Sequence, residues 1–437
     1  MIWTRFAIAG LLGASAFGQQ PNLEQILQQL DQLRQENHKL NQQLETLRNQ
    51  VLELQAAKSA DSDKLAIVAQ RTEDLDASKV DTAQHFPLKL SGLVLMNSYL
   101  YSGHIGGAEL PLAGLPAPSQ RSSGGTFRNT QIAFLYSGPR ALGAQVTGKP
   151  QLDLFGGSLL NTQNNLARLR TADVSLNWAT RTLTFAVDKP IISPREPNSL
   201  SQLGISPFAN SGNLWLWQPQ IRYEERLKFS DSTGLRARLG VYQTNETQAA
   251  IPAGAKLSPS RPAFEGRFEF FHERTGGPRF ELAPGFHVSR SLVSGSGVTS
   301  YAASLDWLVP LAPRLDWTGF AFTGQDLAGL GMAALRQSFT FRPNGVLPVR
   351  NRGGWTQASF HATSWFDVNL IAGLEDDFNR DLAPNGIARN LSYAANLRFR
   401  LTPNVVLGPE IMQIRTTYRI SGIQLVNRYD LALGYLF

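Results

Sequence analysis

The sequence predicts an all-β transmembrane barrel of about 16 antiparallel strands, preceded by an N-terminal α-helical coiled coil. Three observations predict this class. Apolar and polar residues alternate from Leu88 onward, a heptad repeat precedes that region, and the connections between candidate strands are alternately short and long. No apolar run past the N-terminus approaches the roughly 18 residues of a membrane-spanning helix.

The C-terminal stretch shows the two-residue period most clearly. Tyr429, Leu431, Leu433, Tyr435 and Phe437 occupy every second position. This period indicates a β-strand with one apolar face. In a closed barrel the face contacts lipid, and the strand pairs with the first strand so that no edge remains. The alternative is a buried strand of a soluble protein.

The composition limits the function classes. The 437-residue chain contains no cysteine, which excludes disulfides and thiolate metal sites. The formal net charge is +7, but the arginines are spread along strand patterns and are not clustered in a tail. We therefore expect no nucleic-acid partner, no metal site and no cofactor.

Residues 1–18 have the pattern of a secretory signal peptide. Arg5 supplies the positive end, residues 6–12 the apolar stretch, and residues 16–18 a small-residue cleavage site. Together with the predicted barrel, this pattern predicts a location in the outer membrane of a Gram-negative type of cell, with outer-membrane lipid as a partner.

Residues 19–55 carry the heptad repeat and predict a periplasmic coiled coil. The a positions are Leu23, Leu30, Asn37, Leu44 and Val51, and the d positions are Ile26, Leu33, Leu40, Leu47 and Leu54. A buried Asn fixes the register of such a coil, but the pattern does not distinguish two strands from three. A single amphipathic helix packed on a core is the alternative. Residues 56–87 are polar and predict a linker to the barrel domain at 88–437.

The barrel region divides into candidate strands separated by turn signals. Short connections alternate with long ones such as 102–124, 190–217, 246–261 and 324–353, as in outer-membrane barrels. Aromatic residues tend to end the strands that lead into short turns, as a membrane interface requires. The candidate strands are 88–101, 125–137, 142–155, 167–178, 182–189, 218–230, 234–245, 262–273, 279–289, 298–309, 314–323, 354–362, 365–374, 389–401, 404–416 and 423–437.

The polar face of these strands predicts a water-filled lumen rich in arginine. The predicted pore-lining residues are Arg222, Glu224, Arg226, Arg236, Arg238, Arg267, Arg398, Arg400 and Arg428. By the same alternation, Arg168 and Arg170 fall on the outer face near the rim. Arginine is always charged and presents fixed donors, so the lumen should attract small anions. The alternative is that arginines and acids pair across the wall as struts.

The connection 190–217 predicts a loop that folds into the barrel and narrows it. It starts with prolines and contains apolar residues such as Ile191, Ile192 and Phe208, which favour a packed loop. Its predicted polar edge consists of Lys189, Arg195, Glu196, Asn198, Ser199 and Asn213. A lid outside the barrel is the alternative.

These features together resemble the DcaP-like trimeric porins, which are related to the phosphate-selective porins. The local similarity covers the runs at 169–178, 194–200 and 212–222. The resemblance implies a homotrimer that passes small anionic solutes such as dicarboxylates. The barrel has few lysines, which departs from the lysine-rich phosphate-selective type. The pattern ending in Phe437 also resembles the signal read by the barrel assembly machinery, which implies that machinery as a partner during biogenesis.

An enzyme and a structural anchor are the two alternative function classes. An enzyme needs a nucleophile with a positioned base, and no G-x-S-x-G motif lies near any of the six histidines. We therefore expect no catalysis. The remaining alternative is a structural anchor: the coiled coil would tether the outer membrane to the cell wall, with peptidoglycan as a partner and a plugged or poorly conducting barrel.

Overall fold

The computed structural model describes Glu45 and residues 88–437, except for 106–108, 118–120, 158–164, 246–251, 259, 275–276 and 333–336. The predicted signal peptide, coiled coil and linker lie outside the described residues. Within the described part of the chain, no helix is both long and apolar enough to cross a membrane. A single turn of 3₁₀-helix spans Ala328–Leu330.

Antiparallel strands form a closed barrel. The strands are β1 Leu88–Tyr101, β2 Ser122–Thr126, β3 Gln131–Ala141, β4 Ala144–Gly148, β5 Gln151–Gly156, β6 Leu166–Asn177, β7 Arg181–Asp188, β8 Gln218–Lys228, β9 Thr233–Asn245, β10 Ser260–Arg274, β11 Gly277–Val293, β12 Ser296–Ala312, β13 Leu315–Gln325, β14 Phe339–Arg342, β15 Gly345–Pro348, β16 Arg350–Thr363, β17 Phe366–Asp377, β18 Ile387–Thr402, β19 Val405–Tyr418 and β20 Gly422–Leu436. The barrel closes because β1 pairs with β20, from Leu93 opposite Leu436 to Tyr101 opposite Arg428.

The wall has sixteen strands, as the sequence predicts. Two wall strands are broken: β2 and β3 pair in succession with β1, and β4 and β5 pair in succession with β3 and β6. The hairpin of β14 and β15 belongs to a long loop and lies outside the wall sheet.

Proline accounts for three of the interruptions in the ladder. Pro150 lies in the break between β4 and β5, because proline has no N–H to donate. A proline inside a strand favours a bulge or a strand end, yet β11 and β19 run through Pro284 and Pro409. Each proline interrupts the pairing on one side only, towards β10 and β18 respectively, and pairs in register on the other side.

The alternation of side chains matches a barrel in lipid. Along β20, Leu431, Leu433 and Tyr435 are about half exposed on the outside, whereas Ala432 is fully buried on the inside. This arrangement lets apolar side chains contact acyl chains while every wall strand is hydrogen-bonded to its neighbours. Most aromatic residues at the short-turn rim also point outward; Phe229, for example, is exposed. Phe271 is an exception: it is 7% exposed and lies beneath the guanidinium of Arg279.

Candidate pore and the loop inside it

Strand β7 is short, and the chain leaves the wall at its end. After Asp188 the segment 189–217, which we call the lumen loop, returns to the wall at Gln218, directly opposite Asp188. The lumen loop contacts distant walls: the amide of Asn198 donates to Gln357 of β16, and Ser201 donates to Glu410 of β19. The lumen loop therefore lies inside the barrel, and the alternative of an outside lid is wrong.

Apolar side chains of the lumen loop pack against different sides of the wall. Ile192 and Leu214 join a buried cluster with Trp355 of β16, and Phe208 joins another with Met412 of β19. Leu200 packs against a third cluster on β1, β19 and β20. Burial at several sides holds the lumen loop across the barrel, since each buried apolar side chain contributes roughly 1.5–3 kcal/mol.

Gly212 allows the closest approach of the lumen loop to the wall. Its φ of 88° lies in the left-handed region, and a Cβ atom there would lie 2.3 Å from the carbonyl oxygen of Gly354. Its amide donates to Glu375 of β17 at 3.2 Å. At the other end of the lumen loop, the amide of Ile191 donates to Glu265 of β10 at 2.6 Å. Both ends are thus fixed to the wall by backbone donors.

A cavity of about 560 Å³ lies between the lumen loop and the wall. Wall strands on several sides contribute to it, as does the first half of the lumen loop. Among the described residues, nine basic and six acidic side chains line it: Lys149, Arg170, Lys189, Arg195, Arg222, Arg236, Arg238, Arg267 and Arg398 against Asp173, Asp188, Glu196, Glu269, Glu281 and Glu410. The lining therefore has a net positive formal charge.

Glu224 of β8 is the centre of one part of an ion-pair network. Its carboxylate lies 2.7 Å from Nε of Arg226 and 2.5 Å from Nε of Arg238. Nε of Arg236 lies 3.6 Å from the same carboxylate, and its Nη1 lies 3.5 Å from Glu269 of β10. Arg236 thus joins β8 to β10.

The network continues from β10 to the lumen loop. Arg267 lies 2.5 Å from Glu269 and 2.7 Å from Asp306 of β12. Asp306 also pairs with Nε of Arg195 at 2.8 Å, and Arg195 pairs with Glu281 of β11. The side chain of Arg195 is only 3% exposed, so the lumen loop is held there by a buried ion pair.

Arginine outnumbers the acids in this network. Its members among the described residues are Arg195, Arg226, Arg236, Arg238, Arg267 and Arg279 against Glu224, Glu269, Glu281 and Asp306. Six permanent cations face four carboxylates. The same set of side chains therefore forms ion pairs across the wall and carries an excess of positive charge.

Ten of the fifteen predicted site residues line the cavity, and five do not. Glu224 and Arg226 belong to the network, with Arg226 42% exposed near the short-turn rim, and Arg400 lies close to the same rim. Arg398 pairs with Asp367 at 2.7 Å. The following predicted residues line the cavity: Lys189, Arg195, Glu196, Asn198, Ser199, Arg222, Arg236, Arg238, Arg267 and Arg398.

Arg428 lies on the inner face, as the sequence predicts, but neither Arg428 nor Asn213 borders the cavity. Arg428 is 1% exposed: it pairs with Asp430 at 2.7 Å and donates to the carbonyl of Ser201, so the lumen loop covers it. Asn213 is also 1% exposed and donates to the carbonyl of Pro207 within the lumen loop. Both are packing residues because the lumen loop closes over them.

The predicted outward orientation of Arg168 and Arg170 is wrong. In β6, Thr171 lies opposite Gln151 and Leu169 lies opposite Leu152, so the register shifts at Arg170. One extra residue reverses which side chains point inward. Arg170 is 5% exposed and lies 4.3 Å from the ring centroid of Trp217 in the lumen loop.

Some cavity residues were missed by sequence reasoning. Lys149 follows the broken strand β4, where alternation gives no orientation. Glu281 lies in β11 with Arg279, and the alternation of that strand places both on the inner face, so this signal was present in the sequence.

A closed barrel of sixteen antiparallel strands has the strand number found in porins. Solved structures share this architecture. The outer membrane channel DcaP of Acinetobacter baumannii is similar over 80% of this chain and 97% of that chain, with a TM-score of 0.66 at 15% identity. The resemblance to DcaP-like channels is thus confirmed for the fold.

Two further solved structures share this fold. The anion-selective porin from Comamonas acidovorans matches over 80% of this chain and 99% of its own, with a TM-score of 0.56 at 14% identity. OmpF of Salmonella typhi matches over 80% and 97%, with a TM-score of 0.51 at 10% identity. No protein-family model matches the sequence, and neither does any curated protein.

Proposed function

We propose that this protein is an outer-membrane porin that allows passive diffusion of small hydrophilic solutes and prefers anions. Carboxylates are the expected solutes, with phosphate as a second candidate. The observation that carries the proposal is the cavity between lumen loop and wall, where nine basic side chains face six acidic ones. The anion-selective porin from Comamonas acidovorans, which has the same fold, adds support.

The arginines are suited to this role because their charge and orientation are fixed. A guanidinium stays protonated and presents donors that match a carboxylate or a phosphate. Arg222 and Arg238 keep 25% and 22% of their side chains exposed while each is paired with an acid. They can therefore be held in place by the wall and still contact a passing anion.

Location and assembly follow as parts of the same proposal. The barrel would lie in the outer membrane after insertion by the barrel assembly machinery. The residues before Leu88 would lie in the periplasm, because the N-terminal end of β1 is at the short-turn rim. We propose a homotrimer of three barrels joined in part by the coiled coil at 19–55.

Reversal potentials of single channels in planar bilayers test the anion preference. Replacing three cavity arginines in R222A/R236A/R238A should shift the reversal potential in a KCl gradient away from the chloride potential. The matched control is R352A/R389A/R415A, which removes the same charge from the outer face and should leave selectivity unchanged. Heat-modifiable electrophoretic mobility reports folding, and R222A alone serves if the triple variant does not fold. Unchanged selectivity in folded cavity variants would contradict the proposal.

One observation favours the structural alternative, an anchor with a poorly conducting barrel. The lumen loop packs against several sides of the wall, and Ile192 and Phe208 are fully buried. The anchor would join the outer membrane to peptidoglycan through the coiled coil. A folded protein that gives no current in bilayers and binds peptidoglycan in a pull-down assay would favour this function over diffusion.

A further inference from the structure

Four charged residues lie side by side on the outer face of the barrel at the long-loop rim. These residues, Arg352, Asp376, Arg389 and Arg415, are called the outer arginine patch. They belong to β16, β17, β18 and β19, which are consecutive in the wall. The inner faces of the same strands are occupied by residues of opposite parity, such as Asn351, which is fully buried. The patch therefore points away from the proposed pore.

The strand register brings the patch together. Arg352 lies opposite Asp376, and Asp376 lies opposite Arg389. Arg415 lies opposite Leu391, two residues from Arg389 on the same face, so the two arginines are diagonal neighbours at about 7–8 Å between Cα atoms. Neighbouring strands are about 4.7–4.9 Å apart, so Arg352 and Arg415 are separated by about 14–15 Å across the wall, with Arg389 between them. The three cations therefore form one row on the outer face.

Asp376 orients two of these arginines without neutralising the patch. Its carboxylate accepts from Nε of Arg352 at 3.0 Å and from Nε of Arg389 at 2.9 Å. The side chains of Arg352 and Arg389 remain 61% and 51% exposed. Among the described residues, Arg415 has no ion-pair partner, and it is exposed. Three cations and one anion leave two positive charges facing outward.

The surroundings match the boundary of a lipid layer. Below the patch, towards the middle of the barrel, the outer face carries exposed Leu370, Tyr393 and Ile411, and exposed Leu425 lies beside Arg415 at the same height. Arginine on the lipid face costs little near the interface and about 2–4 kcal/mol at the midplane. A ligand with an anionic head and apolar chains would contact both zones at once.

We propose that the outer arginine patch is a binding site for an anionic lipid of the outer leaflet whose headgroup carries a phosphate without a neutralising cation. The guanidiniums of Arg352, Arg389 and Arg415 would contact the phosphate oxygens, because guanidinium donors match phosphate in a bidentate manner. The acyl chains would lie along the apolar face below. This site is separate from solute passage, since its residues face away from the lumen.

Lipid titration in detergent tests the site. Full-length protein in a neutral detergent is mixed with phosphatidic acid or with phosphatidylcholine, and bound lipid is counted by native mass spectrometry. Phosphatidic acid should bind more tightly than phosphatidylcholine, and R352A/R389A/R415A should weaken phosphatidic acid binding by about tenfold or more. The matched control is Arg290→Ala, which removes an exposed arginine of β11 at the same rim, and it should bind as the wild type does.

Asp376 gives a result of opposite sign. Asp376→Asn removes the only acid of the patch, so it should strengthen phosphatidic acid binding, whereas a merely structural role of Asp376 would weaken it. Equal binding of the two lipids, or unchanged binding in the triple variant, would overturn the proposal. If an equal concentration of inorganic phosphate displaced phosphatidic acid, the lipid would not be the specific ligand of the patch. If the triple variant does not fold, Arg389→Ala alone gives the same comparison.

Discussion

Two sides of the inner wall hold the lumen loop in chemically different ways. On β10–β12, Arg195 is fixed by the carboxylates of Glu281 and Asp306. On β16–β18, at the middle of the barrel, amides and hydroxyls contact the lumen loop: Gln357 accepts from the amide of Asn198, and Asn396 donates to its carbonyl. The first side is called the charged side and the second the amide side.

The difference separates two tasks. The charged side places permanent charges around the cavity, and in the proposed channel these charges would set its selectivity, as charged rings do in channels. The amide side fixes the lumen loop through neutral hydrogen bonds, which add no net charge. If charged residues held the lumen loop on both sides, any change in its attachment would also change the charge around the cavity.

The largest expected effect comes from breaking the charged side. Arg195→Ala leaves two buried carboxylates without this partner, and breaking a buried ion pair costs about 3–5 kcal/mol. The midpoint of thermal unfolding in detergent should fall strongly. The matched control is Arg226→Ala, whose side chain is 42% exposed, so it should cost about 1 kcal/mol or less. Equal losses in the two variants would contradict a buried, stabilising role for Arg195.

A charge on the amide side tests the separation of tasks directly. Asn369 of β17 lines the cavity, and its Oδ1 accepts from Ser359 at 2.8 Å and from Gln357 at 3.2 Å. Asn369→Asp keeps those acceptors and adds a negative charge, so the permeability ratio of chloride to potassium should fall about twofold or more. Asn369→Ser is the neutral control. An unchanged ratio in Asn369→Asp would mean that the amide side does not face the permeation path.

The smallest expected effect on selectivity is the loss of neutral contacts. Gln357→Ala removes the acceptor for the amide of Asn198 and the donor to Ser359 and Asn369, and each neutral hydrogen bond contributes about 0.5–1.5 kcal/mol. The free energy of unfolding should drop by about the sum of these contributions, with the sign of selectivity retained. A change in selectivity as large as that of a cavity arginine variant would show that the two sides are not independent.

Much of the fold follows from the sequence because lipid imposes a strict period of two. A one-residue slip would expose polar side chains to acyl chains, so residues such as Leu433 and Arg236 report their side of the wall. Short and long connections then give the two rims. This logic fails only where a strand is irregular, as at the register shift beside Arg170.

The site was less predictable than the wall. Arg428 and Asn213 are polar residues at positions that the sequence assigns to the pore, yet contacts with the lumen loop bury them. Those contacts depend on the path of a loop without periodicity. The alternation of residues along β20 predicts that Arg428 points inward. It does not predict that the lumen loop buries this side chain.

The reversal potential of the wild-type channel in a tenfold KCl gradient tests the central claim most directly, namely that the cavity beneath the lumen loop conducts and is positively charged. A current that reverses close to the chloride equilibrium potential is the predicted result. Reversal towards the potassium potential, or the absence of current from folded protein, would contradict the claim.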